Sequence, residues 1–307
     1  MGAHQHIAWL KNEEIDKAKW DQCIQDASNG LIYASSFYLD TMSKHWDGLV
    51  LNDYEAVMPL TWNRKYGIYY LYQPFFTAAL GIFGNALSAA LVKYFLESVP
   101  EKFRFWDIYL NHGNLYPLQG FALYPRSNYV LELHQPYQTI VERYSQNHVR
   151  NIRRAGKSGC SIKKNIPVKN VIAMAKEQNR NFSEVKAMDY RNFNTLFEYL
   201  FTQGKAITYG VFDAKMKLMT SAVFLFSHQR AYYILVGNHP DGRRSGASHF
   251  LIDSFIRDHA GKQLLLDFEG SQVKSLAQFY QKFGATEEKY QGIKKNDLPF
   301  PLRYLKK

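Results

Sequence analysis

The sequence LLLDFEGS at positions 264–271 gives the clearest indication of the fold. Its apolar run predicts a buried strand that ends in two acids, Asp267 and Glu269, followed by Gly-Ser. Open α/β sheets bind ligands at the carboxyl edge of their strands, and alternate strand residues point to one face. The stretch therefore predicts two carboxylates at a sheet edge, where one can act as a general base or orient a nucleophile. The structural alternative is a carboxylate that caps the turn or pairs with an arginine.

Helical and strand-like patterns alternate along the rest of the chain. Clear strands are predicted at 68–72 and 206–212, and a clear amphipathic helix at 168–179. Such mixing in both halves indicates an α/β or α+β fold. A length of 307 residues suggests two domains, and the Pro-flanked stretch near 134–136 is the expected boundary. We expect domains at 1–135 and 136–307.

The composition of the chain excludes several classes of protein. The chain has 38 Lys and Arg against 27 Asp and Glu, a net charge of +11, and 46% apolar residues, which excludes wholesale disorder. Its two cysteines, Cys23 and Cys160, lack CxxC spacing, so a disulfide framework and a thiolate zinc site are excluded. Positions 1–10 do not resemble a signal peptide, and the uncharged stretch 66–92 is broken by Gly and Pro into pieces too short for a membrane span. These features predict a cytoplasmic protein.

A basic segment follows the expected boundary. Positions 143–176 hold nine Lys and Arg and no Asp or Glu. Four of these cations share i, i+3, i+4, i+7 spacing, which places them on one helical face: Arg150, Arg153, Arg154 and Lys157. Such a face attracts the phosphates of a nucleotide, a nucleic acid or an anionic lipid, and we assign it to substrate binding. The alternative is a solvated helix face that keeps the protein soluble.

A second candidate site joins a predicted strand to a predicted helix. It consists of six consecutive residues: Arg243, Arg244, Ser245, Gly246, Ala247 and Ser248. Glycine lets the backbone approach a ligand closely, and the free amides at a helix start bind pyrophosphate. The pattern R-x-x-G-A resembles the pyrophosphate loop of GNAT acyltransferases. An ordinary helix N-terminus capped by Ser248 is the alternative.

The C-terminal motifs together resemble one family. Asp267-Phe-Glu-Gly270, Phe279-x-x-x-Phe-Gly-Ala285 and Tyr290-x-Gly292 are similar to the C-terminal signature of Fem-type acyltransferases, the bacterial peptidoglycan-bridge aminoacyltransferases and related GNAT-superfamily proteins. The segment 150–159 is similar to the basic helix that opens their second domain. The resemblance implies two tandem GNAT-like domains, each a mixed, mostly antiparallel sheet flanked by helices. It places the acyl donor against the second domain, and it suggests no metal.

One departure from the family bears on the donor. Members that use aminoacyl-tRNA carry Phe-Lys where this chain has Phe279-Tyr280. The difference favours a thioester donor such as acyl-CoA, and it makes Tyr280 a candidate proton donor to the leaving thiolate. Tyr209 and Tyr233, on predicted strands, are candidates for lining the acceptor channel.

The sequence thus predicts an acyltransferase that uses acyl-CoA as co-substrate and no tightly bound cofactor. The acceptor is expected to be an amine or hydroxyl of a small molecule or a cell-envelope precursor. One alternative is an aminoacyl-tRNA-dependent aminoacyltransferase, with tRNA as partner. Another is a non-catalytic protein that binds RNA or other anions through 143–176, and peripheral contact with an anionic membrane is a weaker possibility.

Overall fold

The computed structural model describes residues 6–180, 184–269 and 272–304. Gly270 and Ser271, which close the acidic stretch, lie outside the described residues. The strands are β1 (Ile7–Leu10), β2 (His45–Leu51), β3 (Ala56–Lys65), β4 (Ile68–Tyr72), β5 (Phe83–Gly84), β6 (Phe103–Leu110), β7 (Ala122–Glu132), β8 (Ser161–Lys164), β9 (Ala206–Phe212), β10 (Leu218–Ser227), β11 (Arg230–Asn238), β12 (Leu265–Asp267) and β13 (Thr286–Asn296). The α-helices are α1 (Lys17–Asp26), α2 (Ser36–Met42), α3 (Ala89–Glu97), α4 (Tyr137–Val141), α5 (Gln146–Lys157), α6 (Val168–Asn179), α7 (Ala187–Thr202), α8 (Pro240–Ser245), α9 (Ala247–His259) and α10 (Lys274–Gln281).

The chain forms two compact units. The first contains Met1–Ser127 and Lys289–Lys307, and the second contains Asn128–Glu288. Their limits differ from the expected domains 1–135 and 136–307, because β7 and β13 each continue from one unit into the other. Strand β13 is charged along much of its length, so its sequence does not predict a strand that returns the chain to the first unit.

The first unit is built on a sheet with the order β1-β2-β3-β4-β6-β13, and β5 pairs with β3. The pairing is antiparallel except between β4 and β6. Helix α3 buries Val92 and Phe95, three positions apart on one helical face, in a core that includes Trp106 and Ile293. Burial of this apolar face stabilises the helix more than its intrinsic propensity does.

The second unit has the strand order β7-β12-β11-β10-β9-β8, antiparallel except between β11 and β12. Helix α9 packs on one face, where Phe255 stacks on Phe224 with ring centres 3.7 Å apart. Helix α6 packs on the other face and lies so close that a Cβ at Gly237 would be 2.7 Å from Met174. The parallel pairing of β11 with β12 ends at Tyr232 and Asp267, so the chain leaves the strand where the acidic stretch begins.

The predicted fold class is confirmed, since helices flank a mixed, mostly antiparallel sheet in each unit. Among the described residues, no helix combines the length and the apolar character that crossing a membrane requires.

Candidate functional site

Asp267, the first acid of the acidic stretch, points into the protein. Its side chain is 4% exposed, and its carboxylate accepts hydrogen bonds from Arg230 Nη1 at 2.7 Å and from Asn128 Nδ2 at 2.9 Å. The other guanidinium nitrogen of Arg230 donates to Glu288 at 2.5 Å. The alternative of a carboxylate paired with an arginine therefore describes Asp267, which is not offered to solvent at the sheet edge.

Glu269, the second acid, lies beyond the end of β12 and is half-buried. Its φ of +67° is in the left-handed region, which costs a residue with a side chain about 1–2 kcal/mol. The backbone N–H of Glu269 donates to Asp267 Oδ1 at 2.9 Å, and this bond holds the turn. The expectation that both acids share one face of a strand is wrong, because regular strand geometry stops at Asp267.

Tyr280 lies in α10 and is buried. Its ring stacks on Phe268, with ring centres 4.4 Å apart and planes within 15°. Phe268 also meets the edge of Tyr233 at 6.0 Å. Burial raises the pKa of Tyr280, and the negative charge of Glu269 raises it further; burial and the neighbouring Tyr280 likewise raise the pKa of Tyr233. The structure thus brings together Glu269, Tyr280 and Tyr233, and we call these three residues with Phe268 the tyrosine cluster.

Tyr209, the other predicted channel residue, is not part of this cluster. It is fully buried, with its ring against Phe224 and Phe255, and its hydroxyl donates to Asp258 at 2.7 Å. Lys164 pairs with the same carboxylate at 2.8 Å. Tyr209 is therefore a core residue, and the expectation that it lines an acceptor channel is wrong.

The predicted pyrophosphate loop is more compact than expected. Arg243, Arg244 and Ser245 end the short helix α8, and Gly246, with φ +85°, joins it to α9. A Cβ at Gly246 would lie 2.5 Å from the carbonyl oxygen of Asn151, so α5 covers the glycine.

The cap of α9 also differs from expectation. Gly246 occupies the N-cap position of the helix. Ser248 instead donates to Asn238 Oδ1 at 2.5 Å, inside the first turn. The two guanidinium groups of α8 are exposed, whereas Ala247 is fully buried. Any anion at this junction would therefore meet arginine side chains rather than an open loop.

The basic helix has the predicted geometry. Ser145 caps α5, and Val149 and Ile152 pack against the core of the second unit. The four predicted cations are all exposed: Arg150, Arg153, Arg154 and Lys157. None of the four forms an ion pair with another described residue. This exposed face is consistent with both anion binding and solvation.

One contact connects the basic helix to the α8–α9 junction. Arg154 Nε donates to the carbonyl oxygen of Ser245 at 3.5 Å, and its Nη2 donates to Asn151 Oδ1 at 2.5 Å. Arg154 therefore stands beside Arg243 and Arg244, the exposed cations that end α8. The structure brings the two predicted basic sites together at this junction.

Two histidines behind the junction were not singled out from the sequence. His148 of α5 and His249 of α9 meet edge to face, with ring centres 4.5 Å apart, beside Phe279. Burial lowers the pKa of His148, and burial together with the neighbouring His148 lowers that of His249 to about 4. Both rings are neutral at pH 7. Each histidine is close in sequence to residues of the predicted basic helix or of the predicted pyrophosphate loop. No spacing in the sequence predicts that the two rings meet.

The described residues hold no group of three His, Cys, Asp or Glu side chains arranged to bind a metal ion. The second unit offers the half-buried carboxylate of Glu269, the two buried phenols of the tyrosine cluster, and exposed cations at the α8–α9 junction.

Comparisons with known proteins identify the fold. No protein-family model matches the chain. No curated protein matches it either. Among solved structures, FemX matches 98% of this chain and 99% of its own, with a TM-score of 0.66 and 12% identity. A conserved protein of unknown function from Bacteroides thetaiotaomicron has a TM-score of 0.60 at 12% identity, covering 94% of this chain and 100% of its own.

A third similar structure is the C-terminal domain of a protein named as a lysylphosphatidylglycerol synthetase, from Agrobacterium fabrum. Its TM-score is 0.57 at 11% identity, and the match covers 96% of this chain and 95% of that domain. The chain therefore shares the fold of FemX, as the resemblance of its C-terminal motifs to Fem-type proteins predicted. At these identities the comparisons establish the fold alone.

Proposed function

We propose that the protein transfers an acyl group from an activated donor to an amine or hydroxyl acceptor, with Glu269 as general base. The observation that carries the proposal is the conformation of Glu269, which the buried Asp267 holds in the left-handed region beside Tyr280. Strained residues persist only where the surrounding structure imposes them, and they cluster at functional sites. The names of FemX and of the lysylphosphatidylglycerol synthetase domain support the same reaction class.

The reaction needs only two reactants and one proton transfer. The acceptor nitrogen or oxygen gives its proton to Glu269 and attacks the donor carbonyl carbon, so the new bond forms and a tetrahedral intermediate results. When this intermediate collapses, the carbonyl group forms again and the carbon–sulfur bond breaks. The thiolate then takes the proton from Glu269. This transfer is favourable because a thiol has a pKa of about 8.5 and a glutamic acid about 4.3.

Tyr280 has a different role from the one expected. Burial and Glu269 raise its pKa above that of an ordinary tyrosine, so full proton transfer from Tyr280 to a thiolate would be uphill. A neutral phenol instead donates a hydrogen bond to the oxyanion of the intermediate, which is the common way to stabilise such charge. We assign Tyr280 this hydrogen-bonding role, and Asp267 the role of positioning Glu269.

The donor we favour is acyl-CoA, whose pyrophosphate would bind Arg243 and Arg244 at the end of α8, with Arg154 alongside. The absence of a lysine at position 280 supports a thioester rather than an aminoacyl-tRNA. Aminoacyl-tRNA stays the alternative donor, since the exposed cations of α5 suit a phosphodiester chain as well. The acceptor class is an amine or hydroxyl of a small molecule or an envelope precursor.

Thiol release from acetyl-CoA in the presence of a panel of amino sugars and amino acids tests the catalytic assignment. Glu269→Gln should lower turnover about 100-fold or more, because general-base catalysis contributes 10²–10⁴-fold. Tyr280→Phe should lower it about 10- to 100-fold through loss of the oxyanion hydrogen bond. Glu287→Gln, which removes an exposed carboxylate of β13, is the matched control. Wild-type turnover in both cluster variants would remove Glu269 and Tyr280 from the mechanism.

A further inference from the structure

A charged cavity lies between α6 and α7. Its volume is about 490 Å³. Helix α6 contributes Lys169, Ala173 and Lys176, and α7 contributes Tyr190 and Asn194. The proposed reaction uses none of these residues.

The cavity is cationic. Lys169 and Lys176 are two helical turns apart on one face of α6, roughly 10 Å along the axis, and the small side chain of Ala173 leaves space between them. Arg191 of α7 faces the same space, and no carboxylate is among the lining residues. In the described ranges, none of these three cations forms an ion pair. Three uncompensated cations around one space repel each other, and a bound dianion would relieve that repulsion.

Aromatic packing fixes one of the cations. The ammonium group of Lys176 lies 4.9 Å from the ring centre of Tyr190, which is buried. A cation held over a ring face is oriented at little further cost in conformational entropy. The groove therefore presents at least one positive charge in a defined place.

We propose that the α6–α7 groove binds a small phosphomonoester. Its dianionic phosphate pairs with Lys169, Lys176 and Arg191. A cavity of about 490 Å³ accommodates a molecule of this size. The site is separate from the proposed donor site, so it does not depend on the acyl-transfer proposal.

Calorimetric titration of the full chain with glucose 6-phosphate and with inorganic phosphate, at low ionic strength, tests this site. The double variant Lys169→Ala/Lys176→Ala should bind glucose 6-phosphate at least about tenfold more weakly than wild type. The control Lys205→Ala/Lys215→Ala removes the same charge from exposed positions outside the groove and should bind as wild type does. Arg243→Ala/Arg244→Ala should also bind as wild type, which separates this groove from the donor site.

No saturable binding of either probe by wild type, or equal weakening in the two double-lysine variants, would overturn the site.

Discussion

Two acids that are close in sequence, Asp267 and Glu269, have different surroundings in this protein. For that reason we propose different roles for them. Asp267 is enclosed by Arg230 and Asn128, whereas Glu269 is half-buried beside Tyr280. A single hydrogen bond, from the Glu269 backbone N–H to the Asp267 carboxylate, connects the pair. Either acid taken alone from the sequence is a candidate base, and the buried partners of Asp267 are the reason that we propose Glu269 for this role.

The first prediction concerns the stability contributed by Asp267. Asp267→Asn should lower the free energy of unfolding by about 1.5–3 kcal/mol, because it removes one of the two negative partners of the buried Arg230, which keeps Glu288. Asp297→Asn is the matched control, since it breaks the exposed pair with Lys295 and should cost less than about 1 kcal/mol. Urea unfolding of both variants measures the difference. Equal costs in the two variants would mean that the Arg230–Asp267 pair does not stabilise the fold.

The second prediction concerns the histidine pair. The pKa of His249 is lowered to about 4 in the folded state, while an unfolded histidine has about 6.5, so the unfolded chain binds more protons between these values. Stability should therefore fall as pH falls from about 6.5 to 4, with His249 contributing up to about 1.4 kcal/mol per pH unit.

Urea unfolding of wild type and His249→Phe across pH 7 to 4.5 isolates this contribution. The phenylalanine variant should show a shallower loss of stability over that window, because it has no proton to bind at position 249. His6→Asn, at an exposed position, should retain the wild-type slope. A His249→Phe profile parallel to wild type would show that the buried ring is not neutral for the proposed reason.

At the scale of elements, local patterns located much of the secondary structure. Three predicted elements match the observed bounds: β4, α6 and β9. Each is a run with clear strand or helix periodicity and a sizeable apolar face. Strands β8 and β13 were missed because both are rich in charged residues, and only pairing with distant strands orders them. The loop expected before α9 contains α8, a single short helix that starts at Pro240.

The third prediction concerns the contact between α5 and the α8–α9 junction. Gly246→Ala should lower the free energy of unfolding by about 3 kcal/mol, since it adds left-handed strain and drives a Cβ to 2.5 Å from the Asn151 carbonyl. Gly204→Ala is the matched control, because Gly204 has φ +68° and an added Cβ would meet no atom within 4 Å, so the change should cost only about 1 kcal/mol. Thermal unfolding compares them, and equal losses would argue against close packing of α5.

At the scale of the whole molecule, the resemblance of the C-terminal motifs to a known family predicted the fold, while the site depended on long-range contacts. The C-terminal motifs indicated the Fem-like fold that FemX shares over 98% of this chain. By contrast, the hydrogen bonds of Asp267 join residues that are far apart in sequence: Asn128 is 139 positions away, and Arg230 is 37 positions away. No local pattern encodes such pairs, so the burial of Asp267 could not be predicted. The burial of Tyr209 could not be predicted for the same reason, because its hydrogen-bond partner Asp258 lies in another element.

We propose that the second unit binds an acyl donor through the cations of the α8–α9 junction and performs chemistry at Glu269. Calorimetric titration of acetyl-CoA into wild type, Arg244→Ala and Glu269→Gln, with aminoacyl-tRNA titrated in parallel, tests both parts of this proposal. We predict saturable acetyl-CoA binding by wild type, equal binding by Glu269→Gln, and about three- to tenfold weaker binding by Arg244→Ala, which loses one charge-assisted phosphate contact. Absence of binding by either donor, or unchanged affinity in Arg244→Ala, would contradict the account.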